Sequence, residues 1–281
     1  MTDGTSDAGW FRGVDPEDAE GATDAVRTGS ADAPADWPAR AVDAGFAASE
    51  DDYYARLHDA TVRATSAAVR EAERADDAQL RHAVRAIDDA ERTANELAER
   101  AVEWAGTLFD DVHGGVRGAR DVAERDAETR AERRVVSLAA RVRDLDDEAA
   151  DLRAFVERTA PAVAPNLSEM AGPVLAARLI SLAGGLEPLA KMPSGTVQVL
   201  GAEDALFAHL AGRAPSPKHG VIYTHEFVHG TRPEDRGSAA RAFAGKLAIA
   251  ARIDHYAGDY RPGIHEDLAD RIATIRARGE Q

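Results

Sequence analysis

Residues 135–156 carry the pattern that most constrains this chain. Val135, Leu138, Val142, Leu145, Ala149, Leu152 and Val156 follow one another at gaps of 3, 4, 3, 4, 3 and 4. An α-helix turns once in about 3.6 residues, so these side chains share one face, and a sustained seven-residue repeat makes a seam that a second helix must cover. A looser series precedes it: Leu80, Val84, Ile87, Ala94, Leu97, Ala101, Trp104 and Leu108. Between the two, His113-Gly114-Gly115-Val116-Arg117-Gly118 is a run that breaks helices. The spacing predicts a helix over 79–110, roughly 48 Å long at 1.5 Å per residue, and a second over 119–159, ended by Pro161 and Pro165. Joined by a tight turn, they should pack antiparallel as a coiled-coil hairpin. Val135, Leu138, Val142, Leu145 and Leu152 are the residues expected to join two copies of the chain into a homodimer.

The flanks read differently. Residues 1–50 are rich in Gly, Ala, Asp, Pro and Ser, with Trp10, Phe11, Val14, Trp37, Val42 and Phe46 as scattered large apolar groups. A small, loosely packed N-terminal unit over 1–78 is expected, with full disorder as the alternative. Beyond Pro165 there are more glycines, fewer charges and shorter apolar runs. Helices are expected at 166–184, 200–212, 237–257 and 263–278, with extended or loop pieces at 195–200 and 221–223. The fold class is therefore mostly α: a small N-terminal unit, a hairpin over 79–159, and a compact α-helical domain over 160–281.

Composition narrows the function classes. With no cysteine among 281 residues, disulfides and cysteine-based zinc sites are excluded. The acidic, polar N-terminus lacks the basic start and apolar run of a secretory signal, and no stretch approaches the ~18 apolar residues of a membrane span. A cytoplasmic protein without a membrane partner is expected. The net charge is −16, with 29 Asp to 21 Glu and 31 Arg to only 3 Lys. Such surfaces suit molar salt, where repulsion is screened within ~3 Å, and an extreme halophile is the expected source. Residues 1–60 carry 14 acids and 4 bases, residues 61–163 carry 23 and 17, and residues 164–281 carry 13 of each. Lys191, Lys218 and Lys246 all lie in that neutral last piece, the one able to face a polyanion.

That piece opens with Ala164-Pro165-Asn166-Leu167-Ser168. It continues through Ala177-Arg178-Leu179-Ile180 and Ala183-Gly184-Gly185-Leu186 to Leu189-Ala190-Lys191-Met192-Pro193-Ser194-Gly195-Thr196-Val197-Gln198-Val199-Leu200-Gly201-Ala202-Glu203. Ala205-Leu206-Phe207 and Pro217-Lys218-His219-Gly220-Val221-Ile222-Tyr223 follow. In order and spacing this closely resembles the Nop domain of archaeal box C/D proteins, their eukaryotic relatives and a spliceosomal relative, over about 160–257. Upstream, Ile87-Asp88-Asp89, Asn95-Glu96-Leu97, Glu99-Arg100 and Glu103-Trp104 resemble the family's helix leading into its coiled coil. The resemblance implies a non-catalytic scaffold of an RNA-guided 2′-O-methylation particle. The N-terminal unit, shorter here than is usual, would hold a fibrillarin-type methyltransferase, which itself binds S-adenosylmethionine. The hairpin would dimerise. The Nop domain would grip box C/D guide RNA already folded on a kink-turn-binding, ribosomal-protein-like partner. The chain needs no cofactor of its own.

The residues expected to meet that complex are Lys191, Ser194, Thr196, Gln198, Leu206, Phe207, Arg213, Lys218 and His219. Ser194, Thr196 and Gln198 offer short polar groups before Gly201, where a helix start would present N–H groups to phosphate. Turn and capping chemistry explains Ser194 and Thr196 equally well. Lys191 and Lys218 add point charges, Arg213 can fork onto phosphate or stack, and His219 can stack or donate. Leu206 and Phe207 would be core residues but for the resemblance. Relatives commonly carry Lys where this chain has Asp204, and Arg where it has Ala208. Two other readings compete. His225-Glu226-Phe227-Val228-His229 matches the zinc-peptidase pattern H-E-x-x-H, but Gly230 and Pro233 would end its helix too early. The heptads alone would also suit a coiled-coil interaction protein with no RNA role.

Overall fold

The heptad seam closes inside the chain. In this computed structural model, which describes residues 9–31 and 33–277, helix α4 (Asp76–Ala105) and helix α6 (Arg130–Val163) pack against each other, and a short α5 (Gly115–Ala123) lies on both. Val135, Val142, Ala149 and Val156 are buried, with Val142 set among Ala94, Ala98 and Ala119. Leu138, Leu145 and Leu152 are only half-buried. Alanine dominates the opposing face of α4, with Ala94, Ala98, Ala101 and Ala105 all buried. Val135 and Val142 are thus spent within one chain, and only the half-buried leucines of the seam retain surface for a second copy.

The second helix does not begin at 119. Thr129 starts it with a capping box: its hydroxyl accepts from the Glu132 N–H at 3.2 Å, and the Glu132 carboxylate accepts from the amides of Thr129 and Glu128 at 2.9 and 2.7 Å. Those amides hold the Glu132 carboxyl below its usual pKa. The glycines at 114 and 115 start α5 instead of forming a bare turn. At Gly118 a Cβ would fall 1.8 Å from the His113 carbonyl oxygen, so no other residue fits there. Arg125 fastens the tip, donating to the carbonyls of Asp110 and Asp111 at 2.7 and 2.9 Å. Nor does Pro161 end α6. It lies near the helix end on an exposed face, where the missing N–H costs little, and the break falls at Ala164, held out of the helical region by Pro165.

The chain divides into two compact units rather than three, one ending at Ala75 and the other starting at Asp76. In the first, α1 (Ala19–Thr28) and α2 (Trp37–Asp43) pack on α3 (Glu50–Arg74). Its scattered aromatics converge: Phe11, Phe46 and Tyr53 are buried, and Trp10 lies 5.2 Å from Phe46 and donates to the Tyr53 hydroxyl at 3.2 Å. In the second unit the base of the hairpin belongs to the core of the C-terminal helices. Leu80, Val84 and Ile87 of α4 and Val156 and Ala160 of α6 share one cluster with Leu167, Leu179, Ile180, Phe243, Leu247 and Ile272.

Those C-terminal helices are α7 (Pro165–Ala171), α8 (Pro173–Ala183), α9 (Leu186–Lys191), α10 (Ser194–Val199), α11 (Glu203–Leu210), α12 (Glu226–His229), α13 (Arg236–Tyr256) and α14 (Gly263–Ala277). The helix expected over 166–184 is split at Gly172, whose φ of 77° interrupts it before Pro173. The pieces expected as extended or loop at 195–200 and 221–223 are helical: 194–199 is α10, and Val221–Thr224 is a 3-10 turn. No strand occurs among the described residues. Asp254, buried near the end of α13, ties the domain shut. Its carboxylate accepts from the Asn166 N–H at 3.0 Å, the Asn166 side-chain amide at 2.7 Å and the Leu167 N–H at 2.8 Å. Asn166 Oδ1 in turn accepts from the Arg261 N–H at 2.8 Å.

Two measurements check this packing. Asp254→Ala strands three buried donors and is expected to lower the unfolding free energy by roughly 3–5 kcal/mol, read by denaturant titration. Val142→Asp places a carboxylate among alanines and should melt helix as well as change mass. A variant that keeps its helical circular dichroism and Tm and merely loses a dimer would mean the seam faces another chain.

Candidate nucleic-acid interface

Lys218, His219 and Gln198 come together because residues 218–221 run along the end of α10. The Gln198 side-chain amide donates to the Lys218 carbonyl at 2.7 Å, the Gly220 N–H to the Gln198 carbonyl at 2.8 Å, and the Val221 N–H to the Leu200 carbonyl at 2.8 Å. Gly220 permits the approach, since a Cβ there would lie 2.0 Å from the Leu200 oxygen. The chain then turns through 221–224 and lays Tyr223 against His219, ring centroids 4.6 Å apart and planes 20° from parallel. The guanidinium of Arg236, first residue of α13, sits 5.5 Å from the Tyr223 ring centre. It is steered there by hydrogen bonds to the carbonyls of Thr231 and His229 at 3.0 and 3.3 Å. Desolvation, then the charges of Arg236 and Lys218, hold the His219 pKa below its ordinary value.

Lys191 is paired with Glu187, and Lys246 with Asp267 at 2.8 Å. Lys218 and Arg236 have no carboxylate within ion-pair distance among the described residues. In a chain of charge −16, an unpaired lysine and arginine beside two stacked rings form a local cationic, aromatic face, the chemistry that phosphates and bases meet.

The remaining expected residues scatter. Ser194 and Thr196 are exposed on the first turns of α10, and Ser194 makes no capping bond. Lys191 closes α9 and is held there by Glu187. Gly201 does not offer a vacant N–H to phosphate, because its amide donates to Glu203 Oε1 at 2.8 Å. Leu206 is half-buried, whereas Phe207 and Leu210 are 63% and 72% exposed on α11, a helix that buries none of its residues. They are therefore surface groups, and Asp204 lies exposed beside them. Arg213 is exposed just past that helix. Tyr223 and Arg236 were missing from the expected set. Tyr223 falls in a piece that the sequence marks only as extended or loop, and nothing in the local pattern of Arg236 distinguishes it from the chain's other arginines.

The H-E-x-x-H segment folds as one turn, Glu226–His229, closed by Gly230. His225 precedes that turn and caps it: its Nδ1 accepts from the Phe227 N–H at 3.2 Å, and its ring packs 4.6 Å from both Phe227 and Phe243. Burial holds its pKa down. The His229 ring instead meets the edge of Tyr223, 6.4 Å away. One histidine is thus a half-buried cap and the other lies beside the aromatic stack. No cluster of three or more His, Asp or Glu able to hold a metal occurs among the described residues.

Comparison with known proteins places this geometry. Residues 76–274 match the family described as "Nop: snoRNA binding domain, fibrillarin". The chain is 33% identical to an uncharacterised NOP5 family protein of Methanocaldococcus jannaschii, over 83% of this chain and 66% of that protein. It is 40% identical to nucleolar protein 56 of Schizosaccharomyces pombe over 51% of this chain, and 35% identical to human nucleolar protein 58 over 52%. It spans 28% of the length of each of those two. Among solved structures, a chain of the fibrillarin/Nop5p complex has the same fold, with a TM-score of 0.56 over 90% of this chain and 91% of that one, at 23% identity. The match over 76–274 carries both the hairpin and the His219 surface: this chain belongs to the Nop family.

The histidines give a pH test. Both His219 and His225 are held below the ordinary imidazole pKa of ~6.5. The unfolded chain therefore takes up these protons first, and stability should fall as pH drops from ~6.5 through the folded values. An NMR titration should place both midpoints below that of a free imidazole. Tyr223→Ala, which uncovers His219, should raise its midpoint while leaving that of His225 in place.

Proposed function

We propose that this chain is the non-catalytic scaffold of a box C/D RNA-guided 2′-O-methylation particle. The observation that carries this reading is the cationic, aromatic face built from Lys218, His219, Tyr223 and Arg236 within the segment matched to the Nop family. Two cations are few for a naked polyanion. A protein with so little charge gains little by releasing counterions from free RNA, and it is suited to a preformed shape in which RNA and protein are read together. The complex formed by a kink-turn RNA and its ribosomal-protein-like partner is such a shape.

In this reading the unit ending at Ala75 holds the fibrillarin-type methyltransferase, which brings S-adenosylmethionine. Self-association runs through the hairpin by the half-buried edge of the seam, Leu138, Leu145 and Leu152. The chain performs no chemistry; it fixes the distance between the enzyme and the ribose chosen by the guide. Lys218 offers a point charge to phosphate, and the His219–Tyr223 stack, backed by Arg236, offers a planar surface to a base or sugar edge. The acidic remainder of the surface fits a cytoplasm of molar salt, where cation–phosphate attraction is weakened and shape counts for more.

The test is a titration of the full chain against box C/D RNA alone and against the same RNA bound to its kink-turn partner, at several KCl concentrations. Tight binding is expected only to the binary complex, with a shallow dependence on salt. Lys218→Ala with His219→Ala should weaken it by about 10- to 100-fold, the loss of a few charge-assisted contacts. Equal affinity for free and partner-bound RNA would overturn the composite-surface reading.

A further inference from the structure

Next to the His219–Tyr223–Arg236 stack, a groove of about 540 Å³ runs between α4, α8 and the 221–224 turn. Its size falls in the range of ~300–1,000 Å³ that accepts small ligands. The floor is aliphatic, formed by Val84, Leu182 and Val221. Leu182 stays 44% exposed there, although Leu179 and Ile180 just before it are fully buried. Gly201 keeps the floor open: its φ is +81°, and a Cβ would lie 3.2 Å from Leu182 Cδ1 and 3.3 Å from Val221 Cβ. One wall is Tyr223, 38% exposed and already part of the stack. The rim is basic. Arg85 on α4 has no carboxylate partner among the described residues. Arg178 holds Asp88 through Nη2, while its Nε–H is buried without an acceptor. The Ser181 hydroxyl reaches only the Arg81 carbonyl, at a long 3.5 Å.

We propose that this groove receives one nucleotide of the bound RNA, turned out of its stack, with the base on Leu182 against Tyr223 and its phosphate at Arg85. The proposal rests on the RNA-binding reading above and adds a second contact to it. A base supplies what the groove lacks: a flat apolar face for the floor, an edge acceptor for the Ser181 hydroxyl, and a phosphate for Arg85. An aliphatic protein side chain would cover the floor but leave the Arg85 guanidinium without an anion. The groove is also continuous with the first contact, because the ring of Tyr223 serves both. Arg85 lies on α4, so this contact brings the base of the hairpin into RNA binding.

The experiment uses the full chain and a kink-turn RNA, bound to its kink-turn protein, with 4-thiouridine at one unpaired position at a time. After irradiation and tryptic digestion, one position should crosslink to the peptide 179–191, which contains Leu182 but not His219. In parallel, Arg85→Glu and Leu182→Asp, both surface changes checked for unchanged helical content, should each weaken binding to the partner–RNA complex by about tenfold. If the wild type binds, Lys218→Ala with His219→Ala weakens it, and yet both groove variants bind normally and 179–191 stays unlabelled, the groove proposal is overturned and the scaffold reading stands. If the wild type fails to bind the partner–RNA complex, that reading falls and the groove with it. If the groove variants lose the same affinity for the kink-turn protein without RNA, the groove holds protein and the nucleotide assignment is wrong.

Discussion

The burial of Leu80, Val84 and Ile87 of α4 against Val156 and Ala160 of α6, inside the same core as Phe243 and Leu247, is the contact on which the rest of the second unit depends. It does two things at once. It closes the hairpin at its base, and it plants that base in the helices that carry His219 and Tyr223. A fully buried Leu or Ile removes about 1.5–3 kcal/mol of apolar exposure, so these few residues are a large part of what fixes the direction of the hairpin. Two further links cross the same junction: Arg178 to Asp88, and the Leu186 N–H to the Asp77 carboxylate at 3.0 Å. On the proposed scaffold reading one surface is held at a set distance from another, and a hairpin rooted in a packed core transmits position where a flexible linker would not.

Charge is distributed with the same economy. Several arginines on the hairpin are spent on carboxylates, as Arg120 is on Asp146 and Asp147 at 2.7 Å each, and Arg153 on Glu91. Exposed pairs of this kind contribute little to stability, particularly in salt. Arg236 and Arg85, beside Tyr223, and Lys218, next in the chain to its stacking partner His219, are among the cations that make no such pair.

How much of this was legible in the sequence follows from which signals are local. The seam over 135–156 and the apolar series over 80–108 predicted two long helices because helical periodicity is written residue by residue. The breaks went astray where a local device was overlooked: Thr129-x-x-Glu132 spells a capping box, and Gly172-Pro173 spells an interruption. What the seam packs against was not legible. Alanines at 94, 98, 101 and 105 read as weak stripe residues, yet their small size is what lets α6 come close enough to bury Val135 and Val142. At the site, Gln198, Lys218 and His219 could be named from the motif, but their meeting depends on Gly220 passing beside Leu200. Tyr223 and Arg236 join through a turn and a helix start 13 residues apart, a proximity no short-range pattern encodes.

The Asp254 clamp has a consequence in time. Its partners Asn166 and Leu167 precede it by 88 and 87 residues, and Arg261, whose N–H donates to Asn166 Oδ1, lies 95 residues downstream of Asn166. A chain emerging from the ribosome at ~5–20 residues per second can zip α4, α5 and α6 together from neighbouring contacts, but α7 must wait several seconds for α13 before its amides find their acceptor. Long-range closures of this kind slow folding. The end of the second unit that Asp254 clamps therefore closes last, once α13 has been made.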